Sequence, residues 1–524
     1  MSDSMPQIQP DTRRGLVLAV LGVCFLVVMM DNTILNVALQ TIQVDLGATN
    51  SQLQWAVDAY ILVYAALMFS AGVLADAFGR RRVLVIGLGI FAAASALSAF
   101  SSSPGELILW RAVMGLGGAV VPPTTLAIIR DVFPREEHGK AMGVWAALGG
   151  LSVAFGPILG GALLEGFHWG SVFLINVPIV AVCVLLILRA VPESRAERRP
   201  RLDVGGVALS MIGTVALVYG VIHGGQTNDW LSPGVLAPIV GGLVALCALV
   251  LYERRREDPA LDVTLFASTP FSAGTLSISL SFFALTGGTF LLVFYVQLVR
   301  GYSPLELGLV LLPVAIGSVA AAISSAGVVA RRGPRLAIVA GLLFLLVSFL
   351  GLAFIDAGTP LVLLELSLLG SGLGMGLVMG TTTPLVMSVV AEDKSGVGAA
   401  VNNTLRQIGA ALGVAVMGSV YSVSYRSTIA PVLDPLTPPL PHQAGDSLGG
   451  TVLALKGAHG APAILEQARD AFVASMHTTV LVAVGVLGVA AALAQLWLPA
   501  YAPAEADEPS PALPPVLAAE AVER

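Results

Sequence analysis

The chain has 524 residues, of which 56% are hydrophobic and 11% are charged. Soluble globular proteins carry about 25% charged residues, so this composition excludes a protein whose surface faces water throughout. A lipid bilayer suits the composition, and a helix needs about 20 mainly apolar residues to cross it. The net charge of −6 is therefore less informative than the positions of the charges, and no nucleic-acid partner is expected.

Fourteen apolar segments follow one another, separated by polar or Gly- and Pro-containing connections. Segments this long are too long for barrel strands, and only helices satisfy such a backbone in lipid. We therefore predict an all-α integral membrane protein with fourteen transmembrane helices. The segments are 15–39, 52–75, 82–101, 106–129, 140–163, 170–189, 203–222, 234–252, 271–298, 305–329, 335–355, 360–384, 396–421 and 472–498.

The basic residues are distributed unevenly among the connections. With a cytoplasmic N-terminus, 21 Lys and Arg residues fall in inner connections and tails, and 4 fall in outer ones. Short cytoplasmic loops normally carry the Lys and Arg excess. The asymmetry predicts a multi-pass protein of the cell (inner or plasma) membrane with both termini in the cytoplasm.

The apolar segments group into two bundles of six. Residues 15–189 and 271–498 are the predicted bundles, and the linker 190–270 carries two inserted helices. Paired halves are common in transporter folds. The other predicted parts are a cytoplasmic N-terminus (1–14), an outer loop (422–471) and a disordered cytoplasmic tail (499–524).

A glycine and charge motif follows the second segment, comprising Gly72, Asp76, Gly79, Arg80 and Arg81. Gly72 allows a neighbouring helix to approach, and Gly79 allows a tight turn. We predict that Asp76 and the arginines form a latch that joins helices in one conformation and releases them in another. The alternative is a positive-inside anchor with an incidental acid. Three positions of the motif recur at the same spacing as Ala326, Gly333 and Arg335.

This motif resembles that of the major facilitator superfamily, specifically its fourteen-helix drug–proton antiporter branch. The match runs from Gly72 to Arg81, with Ala77 where a basic residue is common. Other segments carry further patterns similar to those of this branch. Their residues are Asp31 and Asn36 in the first segment, Arg111, Gly115 and Gly117 in the fourth, Gly143, Ser152, Gly156, Pro157, Gly160 and Gly161 in the fifth, Asn176 and Pro178 in the sixth, and Asn402, Asn403, Arg406, Gln407 and Gly409 in the thirteenth.

The resemblance implies a monomeric carrier without a cofactor that exchanges a small-molecule substrate for protons across the bilayer. In the fifth segment, the pairs Gly156-Pro157 and Gly160-Gly161 are expected to thin and bend the helix. We predict that it packs closely against a helix of the C-terminal bundle there. Such packing would seal the central cavity and prevent proton leak.

Ionisable residues inside a membrane are costly and are treated as functional hypotheses. At 1.5 Å per residue, Asp31, Asp58 and Arg111 all lie roughly 6–8 Å below the outer surface of a core about 30 Å thick, so we expect them to meet. We predict that Asp31 binds the proton, Arg111 tunes its affinity, and Asp58 assists or contacts substrate. The alternatives are a structural Asp31–Arg111 pair and an Asp58 that faces the outer interface.

Two further charges and several aromatic residues are candidates for substrate contact. Glu365 is a second cation or proton site, or else an interfacial carboxylate; Arg406 pairs with Glu365 or only braces the C-terminal half. Aromatic faces attract organic cations, although any single aromatic residue here is more often lipid-facing or packing. The predicted substrate-binding residues are Asn36, Trp55, Tyr60, Tyr64, Tyr295, Glu365, Asn402, Arg406 and Gln407.

We predict proton-coupled export of small amphipathic or cationic organic compounds, of the drug-resistance type. One alternative is a dedicated exporter of a single metabolite, antibiotic or lipid, and a less favoured one is a non-transporting membrane scaffold. The sequence has no G-x-x-x-x-G-K-[ST] loop, which argues against a pump driven by ATP. It also has no His/Glu metal pair or nucleophile–base group, so neither an enzyme nor a metal site is expected.

Overall fold

The computed structural model of the chain describes residues 12–134, 137–195, 203–256, 263–390, 395–436, 441–455 and 461–498. The predicted disordered tail 499–524 lies outside these residues, as do residues 1–11 of the predicted N-terminal segment.

Every regular element among the described residues is helical, as the all-α prediction requires. A π-helical turn, Tyr295–Val299, continues the eleventh helix. The helices are α1 Thr12–Leu46, α2 Asn50–Phe78, α3 Arg80–Ala99, α4 Pro104–Ala119, α5 Val121–Val132, α6 His138–Gly166, α7 Ser171–Leu174, α8 Asn176–Ala190, α9 Val204–Thr227, α10 Pro233–Glu253, α11 Thr269–Phe294, α12 Pro304–Val310, α13 Leu312–Leu352, α14 Leu361–Ser388, α15 Ser395–Leu433, α16 Leu448–Ala454 and α17 Ala461–Trp497.

The length and composition of these helices suit a bilayer. Within the described residues, 11 helical stretches are long and apolar enough to cross a membrane. The count rises to 12 when the two arms of α2, which are bent by 52° relative to each other, are taken as one span. The chain is therefore a multi-pass membrane protein.

Two glycines with positive φ mark helix breaks in the two halves of the chain. Gly79, with φ of 111°, separates α2 from α3, and Gly333, with φ of 81°, interrupts α13 before Pro334. Side chains with a Cβ rarely adopt such backbone angles, whereas glycine does so readily. These are corresponding positions of the short internal repeat. The repeat therefore marks a helix break at the same place in each half of the chain.

Helices α1 to α8 pack together as one bundle, and α11 to α17 pack as a second. The remaining two helices are arranged differently, because α9 lies against both α2 and α15 while α10 packs mainly on α9. The bundles meet along two seams, α2 with α15 and α6 with α12. A passage between the two bundles would therefore open or close when the helix contacts at these seams change.

Polar contacts across the seams are concentrated at the end of the molecule that carries residues 441–455, here called the closed end. Asn50 Nδ2 donates to Ser422 Oγ at 2.7 Å, and Gln297 Nε2 donates to the carbonyl oxygen of Val37 at 3.0 Å. At the opposite end, with Gly79 and Gly333, the described residues form no hydrogen bond or ion pair between the bundles. The molecule is therefore held shut at one end.

Residues 422–471, predicted as a long loop, are largely helical. Helix α15 continues to Leu433 and α17 begins at Ala461, with α16 between them. Arg426 pairs with Asp446 at 2.8 Å, and the hydroxyls of Tyr425 and Thr451 hydrogen-bond at 2.7 Å. The apolar pattern ends near residue 421, but the helix continues because tertiary partners satisfy its polar side chains.

Candidate proton and substrate site

Asp31 of α1 and Arg111 of α4 form an ion pair inside the N-terminal bundle. Both side chains are fully buried, with 0% exposure. Arg111 Nε also donates to the carbonyl oxygen of Ala56 at 3.0 Å. The structure thus brings together two of the three charges expected to meet.

Asn176, the first residue of α8, completes the surroundings of this carboxylate. Its Nδ2 donates to Asp31 Oδ1 and to Ser95 Oγ, each at 3.1 Å. Ser95 Oγ in turn donates to the carbonyl oxygen of Phe173 at 2.8 Å. The sequence placed Asn176 in a family motif but assigned it no role, and Ser95 was missed. A small polar residue inside an apolar segment was the available signal.

Tyr60 and Tyr64, predicted to contact substrate, instead extend from the buried ion pair. The Arg111 guanidinium carbon lies 4.4 Å from the centroid of the Tyr60 ring, within the range of a cation–π contact. The rings of Tyr60 and Tyr64 are stacked with centroids 5.7 Å apart. The Tyr60 hydroxyl donates to the Val28 carbonyl oxygen at 3.2 Å, which fixes the stack against α1.

Asp58 does not join the pair, contrary to the expectation that all three charges meet. It is fully buried, and neither carboxylate oxygen has a hydrogen-bond partner among the described residues. On the same face of α2, Gln54 Nε2 donates to the Val414 carbonyl oxygen at 3.4 Å, and the Ala65 carbonyl oxygen accepts from Thr404 at 3.3 Å. Equal depth did not bring Asp58 to Arg111, because its face of α2 is turned toward α15.

The glycines of α6 bring three helices into close contact. A Cβ atom at Gly156 would lie 2.9 Å from Thr33 Cβ on α1, and one at Gly160 would lie 2.8 Å from Ile34 Cγ1. On the other side, a Cβ atom at Gly161 would lie 2.5 Å from the Leu305 Cα of α12. This is the close packing against the C-terminal bundle that the motif predicted.

The remaining residues of the glycine pattern predicted in the fifth segment, which lies in α6, have different surroundings. The carbonyl oxygen of Ser152 accepts a hydrogen bond from Thr33 Oγ1 at 3.0 Å. At the Gly308 position of α12, a Cβ atom would lie 2.5 Å from the Pro157 carbonyl oxygen. A Cβ atom at Gly143 would meet nothing within 4 Å, so close packing does not explain that glycine.

The predicted latch residues form a cluster within the N-terminal bundle. Arg80 pairs with Asp76 at 2.8 Å and also with Asp131 at the end of α5. The backbone nitrogen of Arg81 donates to Glu193 Oε1 at 3.1 Å. A Cβ atom at Gly72 would lie 3.3 Å from Pro123 Cβ, so this glycine does allow close helix approach. In this conformation the cluster joins α2, α3, α5 and the segment after α8.

Three predicted substrate residues lie away from the buried pair. The ring centroid of Trp55 is 6.4 Å from that of Tyr219 on α9, so Trp55 faces an inserted helix. The Tyr295 hydroxyl donates to the Asp356 carbonyl oxygen at 2.6 Å, inside the C-terminal bundle. Glu365 is half-buried and forms none of the ion pairs of the described residues, so its suggested pairing with Arg406 is wrong for this conformation.

Three predicted substrate residues lie on α15. The Arg406 guanidinium carbon is 5.0 Å from the Phe282 ring centroid on α11. Asn402 and Gln407 are buried, and the Oδ1 of Asn402 has no hydrogen-bond partner among the described residues. Asn36 of α1, also predicted, is half-buried. Within the described residues, no group of three or more His, Cys, Asp or Glu side chains could hold a metal ion.

Comparison with known proteins identifies relatives along nearly the whole chain. Residues 21–414 match the family model described as Major Facilitator Superfamily. The chain is 36% identical to the multidrug efflux pump LfrA of Mycolicibacterium smegmatis, over 92% of this chain and 96% of LfrA. It is 34% identical to the tetracenomycin C resistance and export protein of Streptomyces glaucescens, over 76% of this chain and 74% of that protein.

Solved structures show the same fold at low sequence identity. A bacterial homologue of the human lysosomal transporter Spinster, crystallised in an inward-facing and unoccupied conformation, superposes with a TM-score of 0.65. The superposition covers 95% of this chain and all of that chain, at 16% identity.

Proposed function

The chain belongs to the major facilitator superfamily, and we propose that it exports small amphipathic or cationic organic compounds in exchange for protons. Relatives that match most of the chain are named as a multidrug efflux pump and as an antibiotic resistance and export protein. The observation that carries the proton coupling is the buried carboxylate of Asp31, paired with Arg111 and hydrogen-bonded by Asn176. A carboxylate in lipid-surrounded protein is costly unless it is compensated in this way.

We propose that Asp31 alternates between two states. In the conformation described here, Asp31 is ionised, and Arg111 and Asn176 stabilise its charge. Once the closed end has opened to the outside, a proton that enters from there neutralises Asp31 and weakens its attraction for Arg111, which favours return of the bundles to the conformation described here. Loss of the proton to the cytoplasm restores the ion pair. Because only the paired form needs Arg111 in this position, the protonation state biases the conformation.

The proposed topology has fourteen spans with both termini in the cytoplasm. Two features support more spans than the 12 counted above. Helix α6 has 29 residues and links α5 to α7, and α13 is broken at Gly333, so that α12 and α13 together provide two crossings. With the basic connections inside, the closed end faces outward and the structure is an inward-facing form. The inserted α9 and α10 lie outside the two bundles.

The proposed latch works at the cytoplasmic end. The two bundles form no polar contact there among the described residues, and the Asp76–Arg80–Asp131 cluster lies within one bundle. When the cytoplasmic end closes, the C-terminal bundle must approach this cluster. Its contacts then change, and the energy of that change helps to set the balance between the two conformations.

A direct test uses purified protein reconstituted in liposomes with an imposed pH gradient. Parent protein is expected to concentrate rhodamine 123 against its gradient, and Asp31→Asn is expected to abolish this uphill movement while dye binding persists. Asp229→Asn is a matched control, because Asp229 lies exposed after α9. Uphill transport by Asp31→Asn at the parent rate would contradict proton coupling through Asp31.

A second candidate function is dedicated export of one compound. The specific observation in its favour is the 34% identity to a protein named for tetracenomycin C resistance and export. A panel of cationic dyes in the same liposomes separates the two candidates, because a dedicated exporter would move at most one of them. A non-transporting scaffold would move none.

A further inference from the structure

Arg406 is a membrane-embedded cation that has no counter-ion among the described residues. It is half-buried in the first third of α15, and its Nε is buried without a hydrogen-bond partner in the part of the chain that the structure describes. It forms no ion pair among the described residues. Arg111, the other arginine inside the bundles, is paired with Asp31. Arg111 therefore has a counter-ion that stabilises its buried charge, whereas Arg406 has none among the described residues.

The surroundings of Arg406 suit an aromatic compound with a negative group. Phe282 lies beneath the guanidinium at 5.0 Å and offers an apolar face. Asn402, one helical turn away on the same face of α15, has a buried amide oxygen that no described residue hydrogen-bonds. Unmet polar atoms and an aromatic ring thus lie side by side. Binding sites for small organic molecules typically have this composition.

The guanidinium group determines which negative group fits best. Its planar fork donates two parallel hydrogen bonds to a carboxylate, and this arrangement is stronger and more directional than contact with a point charge. Leaving a charge buried without a partner is strongly destabilising. A carboxylate that enters the site would replace the missing counter-ion and recover part of that cost.

We propose that Arg406 is a subsite for the carboxylate of an exported aromatic compound, with Phe282 supporting the aromatic part. This inference rests on the proposed function and extends its substrate class to acids and zwitterions. Tyr60 contacts Arg111 and stacks on Tyr64, and Tyr64 in turn interacts electrostatically with Arg406, so the tyrosine stack links the proton site to the proposed carboxylate subsite.

The test is equilibrium binding of two dyes that differ in one group. Rhodamine 110 has a free carboxylate, and rhodamine 123 is its methyl ester. Binding to the full-length protein in lipid nanodiscs is measured by fluorescence polarisation without a pH gradient. The parent is expected to bind rhodamine 110 at least about tenfold more tightly, and Arg406→Gln is expected to lose that preference with little change for rhodamine 123.

Two further variants sharpen the comparison. Arg406→Lys keeps the charge but not the fork, so an intermediate preference is expected. Arg254→Gln removes an exposed arginine at the end of α10 and should leave the preference as in the parent. The inference is overturned if the parent protein does not bind rhodamine 110 more tightly than rhodamine 123. This includes equal binding of both dyes, binding of rhodamine 123 only, and binding of neither. Equal weakening of both dyes by Arg406→Gln also overturns it.

This outcome is separate from that of the proposed function. Proton-coupled export fails if the parent does not move rhodamine 123 uphill in liposomes. The inference of a carboxylate subsite fails if the binding assay, which has no pH gradient, shows no preference for rhodamine 110.

Discussion

Gly161 of α6 packs so closely on Leu305 of α12 that a Cβ atom at position 161 would lie 2.5 Å from the Leu305 Cα. Both partners at this contact are backbone, which moves less easily than the end of a flexible side chain. Because Gly161 has no Cβ methyl group, the two bundles can meet here at the closed end.

Replacing Gly161 by alanine should separate this contact. We expect Gly161→Ala to slow dye export about tenfold and to increase proton leak, because overpacking costs about 1–3 kcal/mol. Leak is measured with a pH-sensitive dye inside liposomes. Gly241→Ala is the control, since a Cβ atom at Gly241 meets nothing within 4 Å. Leak and export equal to those of the control would show that this contact does not seal the molecule.

Removing the amide of Asn176 should weaken the support for the ionised Asp31. We expect Asn176→Val to reduce coupled export by about tenfold or more, because a hydrogen bond to a charged group contributes about 1.5–3 kcal/mol. The rate of dye–proton exchange in liposomes measures this. Ser95→Ala removes the other partner of Asn176 but keeps the contact with Asp31. If Ser95→Ala had the same effect, general packing rather than support of Asp31 would be responsible.

The positive φ of Gly333 should make this position intolerant of a side chain. We expect Gly333→Ala to destabilise the protein by about 1–3 kcal/mol, the cost of holding a residue with a Cβ in such a backbone conformation. The midpoint of thermal unfolding of the purified protein reports this change. Gly327→Ala, in the same helix with nothing within 4 Å of the added Cβ atom, should cause no loss. Equal midpoints for both variants would show that the break tolerates alanine.

The ion pair between Arg80 and Asp131 should contribute to the rate of conformational exchange. A double-mutant cycle with Arg80→Gln and Asp131→Asn is expected to show a coupling energy of about 0.5–3 kcal/mol. Dye export should fall in each single variant while dye binding stays near the parent value. Additive effects of the two substitutions would indicate that the pair is not coupled, and weaker dye binding would place the cluster in the substrate site.

Asp58 should destabilise the seam between α2 and α15 when it is ionised, because its buried carboxylate has no partner among the described residues. We expect Asp58→Asn to raise the unfolding midpoint at pH 8, since an amide removes the cost of a buried charge, which exceeds the roughly 1–3 kcal/mol of an unpaired neutral group. It should also slow export by favouring the closed end. Asp229→Asn should change neither quantity. A lower midpoint for Asp58→Asn would mean that its carboxylate stabilises the seam.

Features that depend on local chain chemistry were predictable from the sequence. In a bilayer, where water is absent, long apolar segments satisfy their backbone hydrogen bonds by forming helices. The apolar segments therefore predicted the all-helical membrane fold. Gly79 and Gly333 were recognisable because helix breaks favour glycine locally. The meeting of Asp31 and Arg111 was also expected, since depth in a bilayer follows from helical rise.

Only the tertiary structure decided how each helix is rotated about its axis. Asp58 has the depth of Arg111, but its side of α2 is turned to α15, and Trp55 is turned to α9. Asn176 reaches the carboxylate because α8 packs beside α1, and Ser95 reaches the Asn176 amide because α3 packs beside α8. In segments that are apolar on nearly every side, the periodicity of the sequence does not define an inward face. The rotation of each helix is therefore determined by close packing of its glycines against neighbouring helices and by the few polar pairs that must meet.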